Sequence, residues 1–367
     1  MTTIIAFVLI LGLLILVHEL GHFITAIKTG VDVEEFGIGF PPKMFSIKKG
    51  DVVYSINWIP IGGFVKIRGE SGGDANDPKS FASQRTWKKS LILSAGVLMN
   101  FLLAFVLLSV GFMAGLPQSI DENTPLHKVT NREVMIAEVL KDSPADQAGI
   151  EMGDQIISLN GKPYTESEAV YEEVEKNADS EISIIVDRRG DKMEFDVTPE
   201  QIEGYEDRLL GISMVDTGVI KYNFFESIWQ GLLTTGLLIW RVLEAFGSMI
   251  ASLFTDGKLA AEVSGPVGVA VITGQIVKMG WLQVLQFTAV LSINLGIINI
   301  LPFPALDGGR LLFVLAEAVT RKKLSEKVEN IIHNSGFLLL IVLLIVVTFR
   351  DINRYSSTIM DFFKNLF

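Results

Sequence analysis

Apolar positions along the chain gather into four long runs. Leu91 to Pro117, Trp281 to Leu306 and Asn330 to Phe349 contain no Asp, Glu, Lys or Arg, and each meets the roughly 18–20 residues that a membrane-crossing helix needs. Thr2 to Ile27 is a fourth run, interrupted only by His18, Glu19 and His22. It has no basic leader and no small-residue cleavage site, so a retained span is expected rather than a signal peptide. Asn223 to Leu259 is also apolar, but Arg241 and Glu244 divide it into charge-free stretches of 14 and 11 residues. Neither is long enough to cross, and the pattern predicts amphipathic helices lying in the membrane interface over 223–262.

Elsewhere the period changes. Val31 to Arg68 is rich in β-formers and Gly, alternates at Val52, Tyr54, Ile56 and Trp58, and closes on I-P-I-G-G-F-V-K at 59–66. That reads as a hairpin. A plain cytoplasmic hairpin and an amphipathic β-loop whose open edge is covered beside a membrane site both fit the residues. Gln118 to Tyr222 is a separate soluble insertion with turn signals at Gly153-Asp154, Asn160-Gly161 and Arg189-Gly190. Ser143 as N-cap, Pro144 at the first helical position and Gly149 as the stop predict a short capped helix. Strands are expected over 134–140 and 155–159, a helix over 167–176, and a strand pair 181–187 with 192–197.

Composition narrows the chemistry. Cysteine is absent, which removes disulfides and thiolate metal ligands together. The net charge of −11 comes without a basic stripe, so nucleic acid is not an expected partner. Charge is uneven: 28–89 carries ten Lys and Arg against seven Asp and Glu, whereas 118–222 carries ten against twenty-four. By the positive-inside tendency the first loop is cytoplasmic and the acidic insertion lies outside. Lys322, Lys323 and Lys327 fall inside on the same scheme.

His18 and His22 stand four apart within H-E-L-G-H, so on a helix both imidazoles leave one face and Glu19 stands beside them. This is H-E-x-x-H, two zinc ligands and a general base for hydrolysis. Three ionisable groups in a spanning helix are costly unless a function retains them. The third ligand must come from His or a carboxylate. On the cytoplasmic side the candidates are Asp307 and His333, and Asp307 is favoured because Pro302, Pro304, Gly308 and Gly309 unwind the chain around it. Asn299, two turns earlier, is placed to donate to a substrate carbonyl. Asn299 and Asn294 also read as polar contacts between helices, for Asn294 equally well, and Asn100 could bond across helices.

Two resemblances extend this picture. S-P-A-x-x-A-G-I followed by G-D-x-I-x-x-x-N-G resembles a PDZ domain, which implies either an edge groove for a peptide or substrate ectodomain, or a gate. H-E-L-G-H, S-A-G-V-L-M-N-F at 94–101, V-S-G-P-V-G at 263–268 and S-I-N-L-G-I-I-N-I-L-P-F-P-A-L-D-G-G together resemble the site-2 protease family of intramembrane zinc metalloproteases, of peptidase M50 type. The nearest pattern is its bacterial regulator-of-sigma-E branch, with one PDZ domain here instead of two and Val97 where that family often has Pro.

The resemblance implies Zn²⁺ on His18, His22 and Asp307, Glu19 as base, Asn299 and its companion Asn294 as substrate contacts, and a membrane-reentrant β-loop presenting Ile61, Gly62, Gly63, Phe64 and Val65 to an extended substrate. It further implies single-span substrates of the anti-sigma-factor type, possible remnant signal peptides, a stress-response role and a bacterial inner membrane location. The fold class expected is a polytopic α-helical membrane protein with four transmembrane helices (1–30, 91–117, 281–306, 330–350), a membrane-associated β-loop (31–90) and an inserted α+β PDZ domain (118–222). A cytoplasmic segment (307–329) and a tail (351–367) complete it. A zinc transporter or sensor would need polar residues continuing through several spans, of which spans two and four offer almost none. A membrane-tethered PDZ scaffold would need a closed four-ligand metal site and no Glu19.

Overall fold

The computed structural model describes residues 2–70, 76–120, 124, 129–188, 190–202, 208–220, 222–255, 265–321 and 325–355, without the side chains of 61, 253, 254 and 326. The expectations placed on the Ile61 side chain, His127, Arg189, Val263, Ser264, Lys322, Lys323 and 356–367 lie outside the described residues. The chain forms two compact units, 1–110 with 228–367, and 111–227.

The first unit begins with α1 (Thr2–Thr29), which ends where Gly30 takes a φ of 82°, a left-handed stop that Gly adopts without strain. Its buried residues are Ile10, Leu14, His18, Gly21, His22 and Ala26. That three- and four-residue spacing makes one stripe, so both histidines face protein and not lipid. β1 (Val33–Lys49) and β2 (Val52–Ile67) form the predicted hairpin, turning at Gly50. The pairing is not simple, because Phe36 lies opposite both Val65 and Tyr54, and Gly37 opposite both Phe64 and Ser55. The start of β1 is therefore flanked on both sides by β2, which leaves Gly63–Lys66 as an outer segment of the sheet. α2 (Thr86–Ala114) follows. Ala26, Val31, Val33, Ile67, Phe81, Ile92 and Leu93 form a common core that seats the hairpin base against the ends of α1 and α2.

The second unit holds β3 (Pro117–Ser119), β4 (Val129–Val139), α3 (Pro144–Ala148), β5 (Gln155–Leu159), β6 (Lys162–Pro163), α4 (Ser167–Lys176), β7 (Ile182–Arg188), β8 (Asp191–Val197), β9 (Glu200–Gln201), β10 (Arg208–Leu209) and β11 (Ile212–Ile220). One sheet runs β3-β11-β4-β5-β7-β8, with β6 on β5. α3 is capped as its residues dictate: Ser143 Oγ accepts from Asp146 N at 3.3 Å and Gly149 has a φ of 90°. Asp154 is 1% exposed, and its two oxygens accept from Arg188 Nε and Nη2 at 2.7 Å each. A carboxylate buried this way depends on its partner, since alone it would be an uncompensated charge.

The rest of the first unit is helical. α5 (Phe224–Thr255) is one continuous 32-residue helix running through Arg241 and Glu244, where the sequence predicts separate shorter helices. Neither residue breaks a helix; both are good formers, and three apart they stand on one exposed face. α6 (Pro266–Met279) is an additional helix that the apolar pattern does not predict. Its opening amides are served from a distance, since Asp351 accepts from Gly265 N at 3.2 Å and Gly268 N at 2.7 Å. α7 (Trp281–Ile300) stops short of Pro302, α8 (Asp307–Thr320) begins after the break, and α9 (Glu326–Arg354) starts on the Ser325 cap. Among the described residues five helices are long and apolar enough to cross a membrane: α1, α2, α5, α7 and α9. The sequence predicts four, and α5 is the addition.

Candidate metalloprotease centre

The break between α7 and α8 has a local cause. A Cβ at Gly308 would strike the Ile300 and Leu301 carbonyls, and one at Gly309 the Phe303 carbonyl, so only glycine lets the chain fold back here. Ala305 has a φ of 79°, and its N–H donates to His333 Nδ1 at 3.2 Å. His333 thus holds the turn and is not in the ligand cluster. Asp307 opens α8, where the helix N-terminus favours a carboxylate.

Three elements converge on one point. His18 Nε2 lies 2.9 Å from Asp307 Oδ2, His22 Nε2 3.2 Å from the same oxygen, and the two Nε2 atoms are 3.1 Å apart. Donors on a tetrahedral zinc at about 2.0–2.1 Å stand roughly 3.3 Å from one another, so the triangle has the size of a zinc tripod. Among the described residues this is the group of three able to hold a metal ion. His22 Nδ1 donates to the Ile92 carbonyl at 2.8 Å, which commits its proton to that side and leaves Nε2 for a metal. His18 Nδ1 lies 3.2 Å from Asn100 Nδ2. Gly96 of α2 closes the wall: a Cβ there would meet His22 Nε2, and His18 Cε1 and Nε2 at 2.7 Å. The space facing the imidazoles exists because residue 96 has no side chain.

Glu19 leaves α1 beside the triangle, and its Oε2 accepts from Val65 N at 3.0 Å. That N–H therefore points away from β1, along the outer edge of the sheet. Gly62 and Gly63 are buried beside α1: Cβ atoms there would meet Ile15 Cδ1 at 2.9 Å and Gly37 O at 2.8 Å. The segment Gly62–Val65 so runs past the H-E-x-x-H turn with one edge open toward Glu19. Glu70, just beyond β2, is ion-paired with Arg310 in the first turn of α8, which ties the hairpin to the helix that carries Asp307. Asn299 Nδ2 is 3.5 Å from His18 Nε2. Asn294 lies elsewhere, in a cleft of about 500 Å³ between α1, α6, α7 and α9 lined otherwise by apolar side chains such as Phe7, Leu11, Val269 and Leu344, with Gly265 and Pro266 at the α6 start.

The profile of peptidase family M50 matches residues 6–343. The chain belongs to peptidase family M50. It is 32% identical to the zinc metalloprotease RasP of Oceanobacillus iheyensis, with 96% of this chain and 99% of that protein covered. It is 29% identical to the regulator of sigma-W protease RasP of Bacillus subtilis, covering 96% and 98%. A solved PDZ domain of an SdrC-like protein from Listeria monocytogenes aligns at 20% identity and a TM-score of 0.22, over 24% of this chain and 92% of that one. This M50 chain is a multi-pass membrane zinc metalloprotease of the site-2 type.

Several members of the centre carry no signal of their own in the sequence. Gly96 and Asn100 sit in the stretch 94–101, which contributes to the family resemblance but whose residues by themselves indicate helix packing and no place at a metal. The Ile92 carbonyl and Val65 amide are backbone groups, and residue identity does not announce them.

Proposed function

We propose that the protease cuts single-span membrane proteins within the bilayer, with His18, His22 and Asp307 as zinc ligands and Glu19 as general base. The observation that carries this reading is the Glu19 carboxylate standing between the ligand triangle and the open strand edge at Val65. A zinc ion held by these three residues would supply the Lewis acidity needed for hydrolysis of a peptide bond by water at neutral pH. Glu19 takes the proton from the attacking water and delivers it to the leaving amine. Asn299 donates to the carbonyl oxygen as negative charge develops on it. A substrate helix must unwind to be cut, and Gly62–Val65 receives the freed strand by edge pairing. Asn294 contacts the part of the substrate still helical in the α1–α7–α9 cleft.

The charge asymmetry supports an outer position for the acidic unit, and contacts of α5 and α6 support α5 lying in the interface. The start of α6 and one turn within it lie against the far ends of spanning helices, Gly265 at Asp351 of α9 and Gly274 at Thr3 of α1. Gly231 of α5 lies against Ser109 near the far end of α2. A crossing α5 would deliver the chain to the side opposite the one where α6 starts. Substrates of anti-sigma-factor type fit this arrangement, with the acidic PDZ-type unit restricting entry to short outer segments.

The test is cleavage of a single-span reporter in liposomes by the wild type and by Glu19→Gln, with zinc quantified in both. Cleavage by the wild type alone at equal zinc content is expected. Cleavage by Glu19→Gln at the wild-type rate would remove Glu19 as the base.

A further inference from the structure

Asn100 stands four residues after Gly96, so it shares the face of α2 that meets the metal centre, one turn further along. Its side chain is fully buried, at 0% exposure. Its backbone carbonyl accepts from Ser292 Oγ of α7 at 2.7 Å, which holds this turn of α2 in place. Its side-chain oxygen Oδ1 is buried with no hydrogen-bond partner, while Nδ2 lies 3.2 Å from His18 Nδ1.

That arrangement conflicts with metal binding through His18 Nε2. A neutral imidazole has one N–H and one lone pair. With its Nε2 lone pair given to a metal, His18 carries its proton on Nδ1, where it would face the NH₂ of Asn100. A half-turn of the amide exchanges its oxygen and nitrogen with almost no change in shape, and the hydrogen-bond network alone decides between the two. Turned this way, Oδ1 accepts the Nδ1 proton and the orphaned oxygen is satisfied. His22 needs no such device, because a backbone carbonyl holds its Nδ1 and can only accept.

We propose that Asn100 is a positioning residue, accepting from His18 Nδ1–H through Oδ1 and thereby holding His18 in the tautomer that presents Nε2 to zinc. The proposal rests on His18, His22 and Asp307 being the ligand set. In the opposite amide orientation His18 carries its proton on Nε2, donates to Asp307 and cannot ligate. The amide orientation and metal binding are therefore coupled. A residue serving only helix packing would have no such coupling.

The experiment uses the full chain in detergent and measures zinc affinity by competition with a chelator of known affinity, together with thermal unfolding of each zinc-free variant. Asn100→Leu keeps the branched heavy-atom outline and removes the acceptor; Asn100→Asp keeps an acceptor. Loss of such an outer partner typically weakens metal binding about 10- to 100-fold. Asn100→Leu is expected to fall in that range, with Asn100→Asp within a few-fold of the wild type. Wild-type affinity in Asn100→Leu, or equal weakening in both variants, overturns the proposal. Asp307→Asn serves as reference. Were it to bind zinc as tightly as the wild type, the ligand set itself would be wrong, a failure distinct from that of Asn100.

Discussion

Gly96→Ala is the smallest change that tests the geometry of the centre. The added Cβ would stand 2.7 Å from His18 Cε1 and Nε2, against 3.4–4 Å for an ordinary van der Waals contact, so the imidazole must retreat by about 0.7–1.3 Å. Metal sites hold their ligand distances to within roughly 0.2 Å, and the retreat exceeds that severalfold. α2 cannot simply move away, because Ala95 O already lies against Gly21 of α1, and Ile92 receives the His22 proton. Overpacking of this kind costs roughly 1–3 kcal/mol, which translates to zinc affinity lower by about 5- to 150-fold. The assay is chelator competition on purified protein with reporter cleavage in parallel, and Leu98→Ala as control, since Leu98 is 56% exposed on the opposite side of the turn. Zinc affinity within twofold of the wild type in Gly96→Ala would refute the reasoning, for it would mean that the imidazoles do not need the space residue 96 leaves.

Two further predictions concern stability. Asp351→Ala leaves the Gly265 and Gly268 amides at the start of α6 without their acceptor. A cost of about 1–3 kcal/mol is expected, read as a lower unfolding temperature in detergent; an unchanged temperature would show that the α6 start finds another acceptor. Asp154→Ala removes the bidentate partner of Arg188 and leaves it Glu151 and the Gly149 carbonyl, and should destabilise the 111–227 unit by about 1–3 kcal/mol. Denaturant unfolding followed by proteolysis within that unit checks it, and zinc binding should be unaffected because no ligand lies there.

Much of the centre is legible in the amino-acid order. H-E-x-x-H declares its own geometry, since the helical repeat alone puts His18 and His22 on one face. P-F-P-A-L-D-G-G declares a break, because prolines end a helix and paired glycines allow a close return. Asp307 and His333 compete for the third ligand position on composition; the fold brings Asp307 to the two histidines and gives His333 Nδ1 to the Ala305 amide. The continuity of α5 is not legible in the same way, because Arg241 and Glu244 interrupt its apolar run without interrupting its backbone. A charge limits where a helix can sit but does not stop the helix.

The sequence by itself determined whatever depends on neighbours a few residues apart: the apolar runs, the capped helix at Ser143, the alternating strand through Val52 and Trp58, the two histidines on one stripe. These follow from backbone sterics, side-chain periodicity and local hydrogen bonds. Only the tertiary structure decided which distant groups meet. His18 and Asp307 are 289 residues apart, and nothing local to either specifies the other. The same holds for Gly96 against both imidazoles, for Val65 N–H on Glu19 and for Asn100 behind His18. Such meetings are set by close packing of α1 between α2, the hairpin and the α7–α8 break, a condition on the whole unit that no short stretch of sequence contains.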